Sequence, residues 1–318
     1  MAYKNQIATV FGGSGFVGCQ IVRELAAKGF TVKIATRVPE RANALKPCGA
    51  VGQVVPVLCD YSDAHSVREA VKNADYVVNC IGILFEKGKR RRFQNAHVDI
   101  PAMIAKSCAD EGVSRFVHIS ALGCDTGTSK YAKSKSEGEE AVLANFPSAT
   151  VLRPSVIFGA DDNFFNMFAE MSRYVPVLPL IGGGKTKFQP VFVGDVADCV
   201  MAALTSDGYQ GKVYQLGGAD VVSLHEIYEL LFEHTGRKRS CVSLPFSLAK
   251  VQASFLSLLP KPPLTPDQVE SLKTDNIVDE KGLNMQHLGV EPTSMDLILP
   301  SYLESYQSGG SLSNVASL

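Results

Sequence analysis

A glycine-spaced turn between a strand and a helix constrains this chain more than any other stretch. Ile7-Ala8-Thr9-Val10-Phe11 is an apolar, β-branched run that reads as a buried strand. Gly12-Gly13-Ser14-Gly15-Phe16-Val17-Gly18 follows. Cys19 to Lys28 then places Ile21, Val22 and Leu25 at helical spacing, with Gly29 as the stop signal. Glycines at 12, 15 and 18 let the chain bend sharply, bring bare backbone up to a pyrophosphate and seat a helix closely on a sheet. The helix start adds unpaired N–H groups and the positive end of the helix dipole. The turn therefore predicts a dinucleotide held by Gly12, Ser14, Gly15, Phe16, Val17 and Gly18.

The next hundred residues alternate strand and helix patterns, which predicts right-handed βαβ units and a parallel sheet. Further strands are expected at Thr31–Ala35, Val54–Leu58, Tyr76–Ile81, Arg115–Ser120 and from Thr150, with helices at Ser66–Lys72 and Ile100–Glu111. This is an α/β chain with a doubly wound parallel Rossmann sheet, whose ligand lies beyond the carboxyl ends of the strands. Residues 1–155 form the dinucleotide-binding domain in this reading, and 188–217 return to its sheet through a helix started by Asp195. Residues 156–187 and 218–306, richer in proline and glycine connections, form a smaller irregular α/β lobe. The serine- and glycine-rich stretch 307–318 is expected to be a disordered tail.

The strand ends carry the finer expectations. Arg37 follows the second strand, where an acidic residue would grip a ribose 2′-hydroxyl. An arginine fork suits a 2′-phosphate instead, so NADP(H) is favoured over NAD(H). Asp60 closes the third strand and is placed to accept from an adenine amino group or, alternatively, to cap the next helix. Gly82, after the fourth strand, allows a cofactor to pass close to the backbone.

Composition excludes several classes. A net charge of −1 argues against wholesale nucleic-acid binding. The eight cysteines include no CxxC pair, and no metal-ligand cluster is evident. No charged and apolar leader precedes the first strand, so a reduced, cytoplasmic setting is expected. The segment Phe246–Leu259 is too short and too interrupted to span a bilayer. It reads as a helix covering core, with peripheral membrane contact as the alternative. Lys87-Gly88-Lys89-Arg90-Arg91-Arg92 reads as a solvated loop, with an acidic partner, anionic headgroups or cofactor phosphate as its alternatives.

Tyr131 and Lys135 are four apart, on one helix face, so an ammonium beside the phenol is expected to lower its pKa toward neutrality. Such a tyrosine can exchange a proton with a substrate while a nicotinamide exchanges hydride. With Gly12-x-x-Gly15-x-x-Gly18, Asp60, Asn79-Cys80-Ile81-Gly82, Val117-His118-Ile119-Ser120, Leu152-Arg153-Pro154 and Val193-Gly194-Asp195-Val196-Ala197, the chain resembles the extended short-chain dehydrogenase/reductases. These are typically epimerases, dehydratases or reductases of nucleotide sugars. The resemblance implies Tyr131 and Lys135 as catalytic and cofactor-binding residues, with a serine or threonine after the fifth strand. Ala121 occupies that position and Ser120 lies one residue early, which aims it to the other face. His97 stands where many relatives carry asparagine.

Further stretches are similar to an atypical branch that contains the nucleotide-binding accessory subunit of respiratory complex I and its bacterial relatives. They include Arg153-Pro154-Ser155-Val156-Ile157-Phe158-Gly159, Asp162-Asn163-Phe164-Phe165-Asn166 and Lys273-Thr274-Asp275-Asn276. That resemblance implies NADPH held without turnover, as a structural prop, in association with complex I or a ubiquinone-related assembly. An active NADP-dependent reductase or nucleotide-sugar epimerase is the alternative it leaves open. A place at the inner face of the cytoplasmic membrane fits either role.

Overall fold

The computed structural model describes residues 3, 5–88 and 91–307. The tail expectation for 308–318, and Lys89 and Arg90 of the basic run, lie outside the described residues.

Six strands, β1 (Ile7–Phe11), β2 (Thr31–Thr36), β3 (Val54–Leu58), β4 (Tyr76–Asn79), β5 (Arg115–Ile119) and β6 (Thr150–Pro154), are joined by Val213–Leu216. They form one seven-stranded sheet ordered Val213–Leu216, β6, β5, β4, β1, β2, β3. Every pairing in it is parallel. The strands are apolar on both faces because helices cover both. On one side α1 (Phe16–Ala27) and α6 (Val193–Thr205) contribute Ile21, Leu25, Val200 and Leu204. On the other, α2 (Ala64–Val71), α3 (Ile100–Asp110) and α4 (Lys130–Asn145) contribute Val67, Ile104 and Val142. Chain order reverses between β1 and β4, so a crevice opens there at the carboxyl ends. The Gly12 turn and the segment leading to Gly82 flank it.

Residues 188–217 bring α6 and Val213–Leu216 onto the main sheet. The helix begins at Val193, and Asp195 lies in its first turn. There its carboxylate accepts from the Thr293 N–H and hydroxyl, both at 2.7 Å. A separate apolar cluster joins α5 (Phe165–Tyr174), α7 (Leu224–Thr235) and α10 (Met295–Leu303) through Phe165, Tyr228 and Leu299. Beside it, Val177–Ile181 pairs in parallel with Ser240–Leu244. The short helices α8 (Phe246–Leu256) and α9 (Pro266–Ser271) pack together through Ala249, Ala253 and Val269.

One element has no counterpart in the sequence reading. Gln94–Asp99 is a π-helical turn running directly into α3. It packs so tightly on α4 that a Cβ at Gly138 would sit 1.9 Å from the His97 carbonyl oxygen. No helix of the described residues is long and apolar enough to cross a membrane.

Candidate dinucleotide site

The glycines of the first turn do different work. Gly12 holds φ +75°, and a Cβ there would approach the Cys80 carbonyl carbon at 3.0 Å. A Cβ at Gly18 would lie 2.3 Å from the Gly12 oxygen, so α1 reaches the turn only because the methyl is missing. Gly15, exposed, is the N-cap of α1 and brings no side-chain cap, leaving the start of the helix at Phe16 and Val17 to external acceptors. Ser14 is half-buried in the same turn.

At the end of β2, Arg37 is exposed and its guanidinium lies over the Tyr61 ring, 5.5 Å from the centroid. Tyr61 is buried and donates to the Ala35 carbonyl at 2.7 Å; burial pushes its phenol up to about 12. A fixed aromatic platform thus supports a cation that forms no ion pair among the described residues. Asp60 does not cap α2. Its Oδ1 accepts from the Ser62 N–H at 3.0 Å and from the Ser62 hydroxyl at 2.7 Å, while Asp63, nearer the helix, takes the His65 and Ser66 amides. Gly82 borders open space: a Cβ there would meet only Lys135 Nζ at 3.5 Å and His97 Nε2 at 3.9 Å.

Tyr131 and Lys135 lie in the first two turns of α4. Ser129 caps that helix, and the Asp267 carboxylate accepts from the Lys130 and Tyr131 amides at 2.7 and 3.0 Å. The Tyr131 ring stands edge-on to His97 at 5.3 Å and to Phe93 at 5.9 Å. Lys135 is buried and donates to the Ile119 carbonyl at 3.2 Å. Burial draws its ammonium down to about 8, against the opposing pull of Cys124, Glu139 and Cys80. The expected depression of the Tyr131 phenol is not found. Burial raises it above its ordinary value, and Cys124 adds in the same direction. Desolvation of the phenolate is the dominant cause.

His97 completes an ordered chain. Its Nε2 accepts from the Ile83 N–H at 3.1 Å, so Nδ1 carries the proton and donates to Ser134 Oγ at 2.8 Å. The Ser134 hydroxyl passes the polarity on to the Tyr131 carbonyl at 2.8 Å. Burial, with Lys135 nearby, holds the imidazole neutral by pulling its pKa down to about 3.

Ser120 shares the parity of Phe116 and His118 along β5, hence the side covered by α3 and α4. Its amide donates to Leu152 O at 2.7 Å and its Oγ lies 3.8 Å from Cys124 Sγ. The Cys124 thiol donates to Glu139 Oε1 at 3.1 Å, and Glu139 pairs with Arg153 at 2.7 Å. Ser120 thus leads into a buried polar chain beneath α4. Ala121 follows it, half-buried, with no hydroxyl to offer. Cys124, Ser134, Glu139, Asp267 and Asn276 were not singled out from sequence as parts of the site. Asn276 tethers the loop after β5, donating to Leu122 O at 3.1 Å and accepting from Ser155 Oγ at 2.6 Å.

The uncapped start of α1, the free Arg37 fork and the open space beside Gly82 together fit a nicotinamide dinucleotide laid across the β1/β4 crevice. Comparison with known proteins agrees. The NAD dependent epimerase/dehydratase family matches residues 8–217. The chain is 36% identical over 317 residues to the mitochondrial NADH dehydrogenase (ubiquinone) 1 alpha subcomplex subunit 9 of Arabidopsis thaliana, covering 96% of this chain and 79% of that protein. Its Mus musculus counterpart is 33% identical over 299 residues, covering 92% and 78%. Among solved structures, the NADPH-dependent quinone oxidoreductase QOR2 of Escherichia coli, complexed with NADPH, aligns with a TM-score of 0.74 at 18% identity, over 93% of this chain and 98% of that one. MoeE5 in complex with UDP-glucose and NAD aligns at 0.70 and 18%, over 93% and 97%. The chain belongs to the NAD dependent epimerase/dehydratase family, with the Rossmann-like nicotinamide dinucleotide-binding fold of the extended short-chain dehydrogenase/reductases.

Proposed function

We propose that this protein holds NADP(H) as a standing component rather than turning it over, in association with respiratory complex I or ubiquinone metabolism at a membrane face. The observation that carries this reading is the state of Tyr131. Its phenol is pushed up by burial, Lys135 donates to the Ile119 carbonyl, and Ala121 brings no hydroxyl. When bound, the nicotinamide supplies hydride chemistry. For their part, the uncapped turn of α1 binds phosphate, Arg37 selects the 2′-phosphate, and Lys135 and Gly82 border the remaining cleft. The naming of the Arabidopsis and mouse relatives as subunits of an NADH dehydrogenase (ubiquinone) supports the assembly.

A second reading, an NADP-dependent reductase or epimerase, is favoured by Tyr131 and Lys135 themselves, one helical turn apart beside Gly82. In it Tyr131 exchanges the proton and Lys135 positions the ribose. Purified protein should carry NADPH through gel filtration and not oxidise it with soluble ubiquinones, other carbonyl compounds or sugar nucleotides. Steady NADPH consumption abolished by Tyr131→Phe would overturn the first reading and establish the second.

A further inference from the structure

Helix α8 is apolar on two opposite faces. Ala249 and Ala253 are fully buried and seat it on α9. The outward face, where a solvated helix is polar, instead presents Leu248, Val251 and Phe255, continued by Leu258 and Leu259. All five are exposed, Phe255 at 71% and Leu258 at 83%. Val177 and Val242 are exposed on the neighbouring strand pair. An apolar groove of about 470 Å³, lined in part by Val175, Leu244 and Leu256, runs alongside.

The segment that carries this face is basic. From Arg237 to Pro266 the sequence carries five cations, Arg237, Lys238, Arg239, Lys250 and Lys261, and no carboxylate. Lys87 of the basic run reaches the same place: its Nζ donates to the Pro260 carbonyl at 2.9 Å, next to Leu259. Arg91, paired with Lys87 in a short antiparallel bridge, lies over the Phe85 ring at 4.1 Å. The nearby carboxylates are already engaged. Glu270 pairs with Lys250 and Lys273, Asp267 takes the amides of α4, and Glu86 takes the Phe93 amide.

We propose that the outward face of α8, with the loop after it, docks on an anionic lipid bilayer. Projecting leucine and phenylalanine side chains enter the acyl boundary, while Lys87, Lys250 and Lys261 lie at headgroup level. A second copy of this chain fits poorly, because a twofold contact would face cations with cations. Side chains as exposed as Phe255 and Leu258 also suit a deformable apolar phase better than a preformed pocket. This inference is independent of the cofactor reading.

The test is flotation of the full-length protein with vesicles of phosphatidylcholine alone or mixed with phosphatidylglycerol. Binding to the mixed vesicles, weakened by salt and by neutral lipid, is expected. Leu248→Ser combined with Phe255→Ser should weaken it at least about tenfold. Lys250→Gln and Lys261→Gln should each cost roughly fivefold. Melting temperature and NADPH titration, unchanged in these surface variants, show that the fold and dinucleotide site are intact. Absence of binding to either vesicle, or full binding by the Leu248/Phe255 variant, overturns the proposal. So does a dimer in sedimentation that the same variant dissolves, or an acidic protein recovered in its place that competes with the vesicles.

Discussion

His118 Nδ1 lies 3.1 Å from the Asn79 side-chain amide nitrogen, and this contact fixes the protonation of the buried ring. Asn79 Oδ1 already accepts from the Ile81 N–H at 3.0 Å, so its NH₂ group faces the histidine as a donor. Nδ1 must accept, Nε2 carries the hydrogen, and that Nε2 finds no partner among the described residues. Burial draws the His118 pKa down to about 3, as it does for His97, with Lys135 opposing the charged form of both.

Stability therefore depends on pH with a definite sign. Between an ordinary histidine value of about 6.5 and the folded value of about 3, the unfolded chain binds more protons than the folded one. Each ring then removes up to about 1.4 kcal/mol of stability for every pH unit descended through this window. Above it these two rings contribute no slope. Thermal melts from pH 8 to pH 4 should show the fall starting near pH 6.5, and His97→Asn should flatten it. A variant retaining the full wild-type slope would show that His97 is not one of the groups responsible.

Arg37→Asp tests the 2′-phosphate assignment. A charge-assisted contact to phosphate is worth about 1.5–3 kcal/mol, so NADPH binding should weaken roughly ten- to a hundredfold. NADH binding should hold or improve as the acidic residue reaches the ribose hydroxyls. Equal losses for both nucleotides in calorimetric titrations would refute the assignment.

Asp267→Asn should lower stability by about 1 kcal/mol. It removes the negative charge at the start of α4, where both carboxylate oxygens accept backbone amides. Denaturant unfolding measures this directly. Amide exchange should rise first at Lys130 and Tyr131.

Glu139→Gln should be more damaging, by about 3 kcal/mol, because it leaves the largely buried Arg153 guanidinium paired only with Asp125. Replacing both partners, with Glu139→Leu and Arg153→Met, should recover much of that loss. A double variant as unstable as the single one would mean that the pair supplies net attraction, not merely mutual compensation.

The strands were the most legible part of this chain. Buried parallel strands read as continuous apolar runs, and β1, β3 and β6 begin where Ile7, Val54 and Thr150 suggested. The π-helical turn was hidden because Pro101 suits a first helical turn, so the helix was expected only from Ile100. The roles of Asp267 and Asn276 are contacts across more than a hundred residues, and no local spacing announces them. Helix α8 does cover core through Ala249 and Ala253, but the exposure of its other apolar face was not legible, for a related reason. A stripe of leucines states that a face avoids water, not what it meets instead. The rise of the Tyr131 phenol was likewise out of reach. Helical spacing places Lys135 near it, yet the burial that raises the phenol, and the Cys124 thiol that adds to it, come from the tertiary packing.

Gly138 gives the cleft its gauge. Since no methyl fits between α4 and the His97 carbonyl, the width separating the imidazole from the Tyr131 and Lys135 helix is set by one hydrogen atom. Two segments forty residues apart are thereby held as a single packed unit. Any side chain at 138 would have to move one of them, and with it the imidazole that borders Gly82.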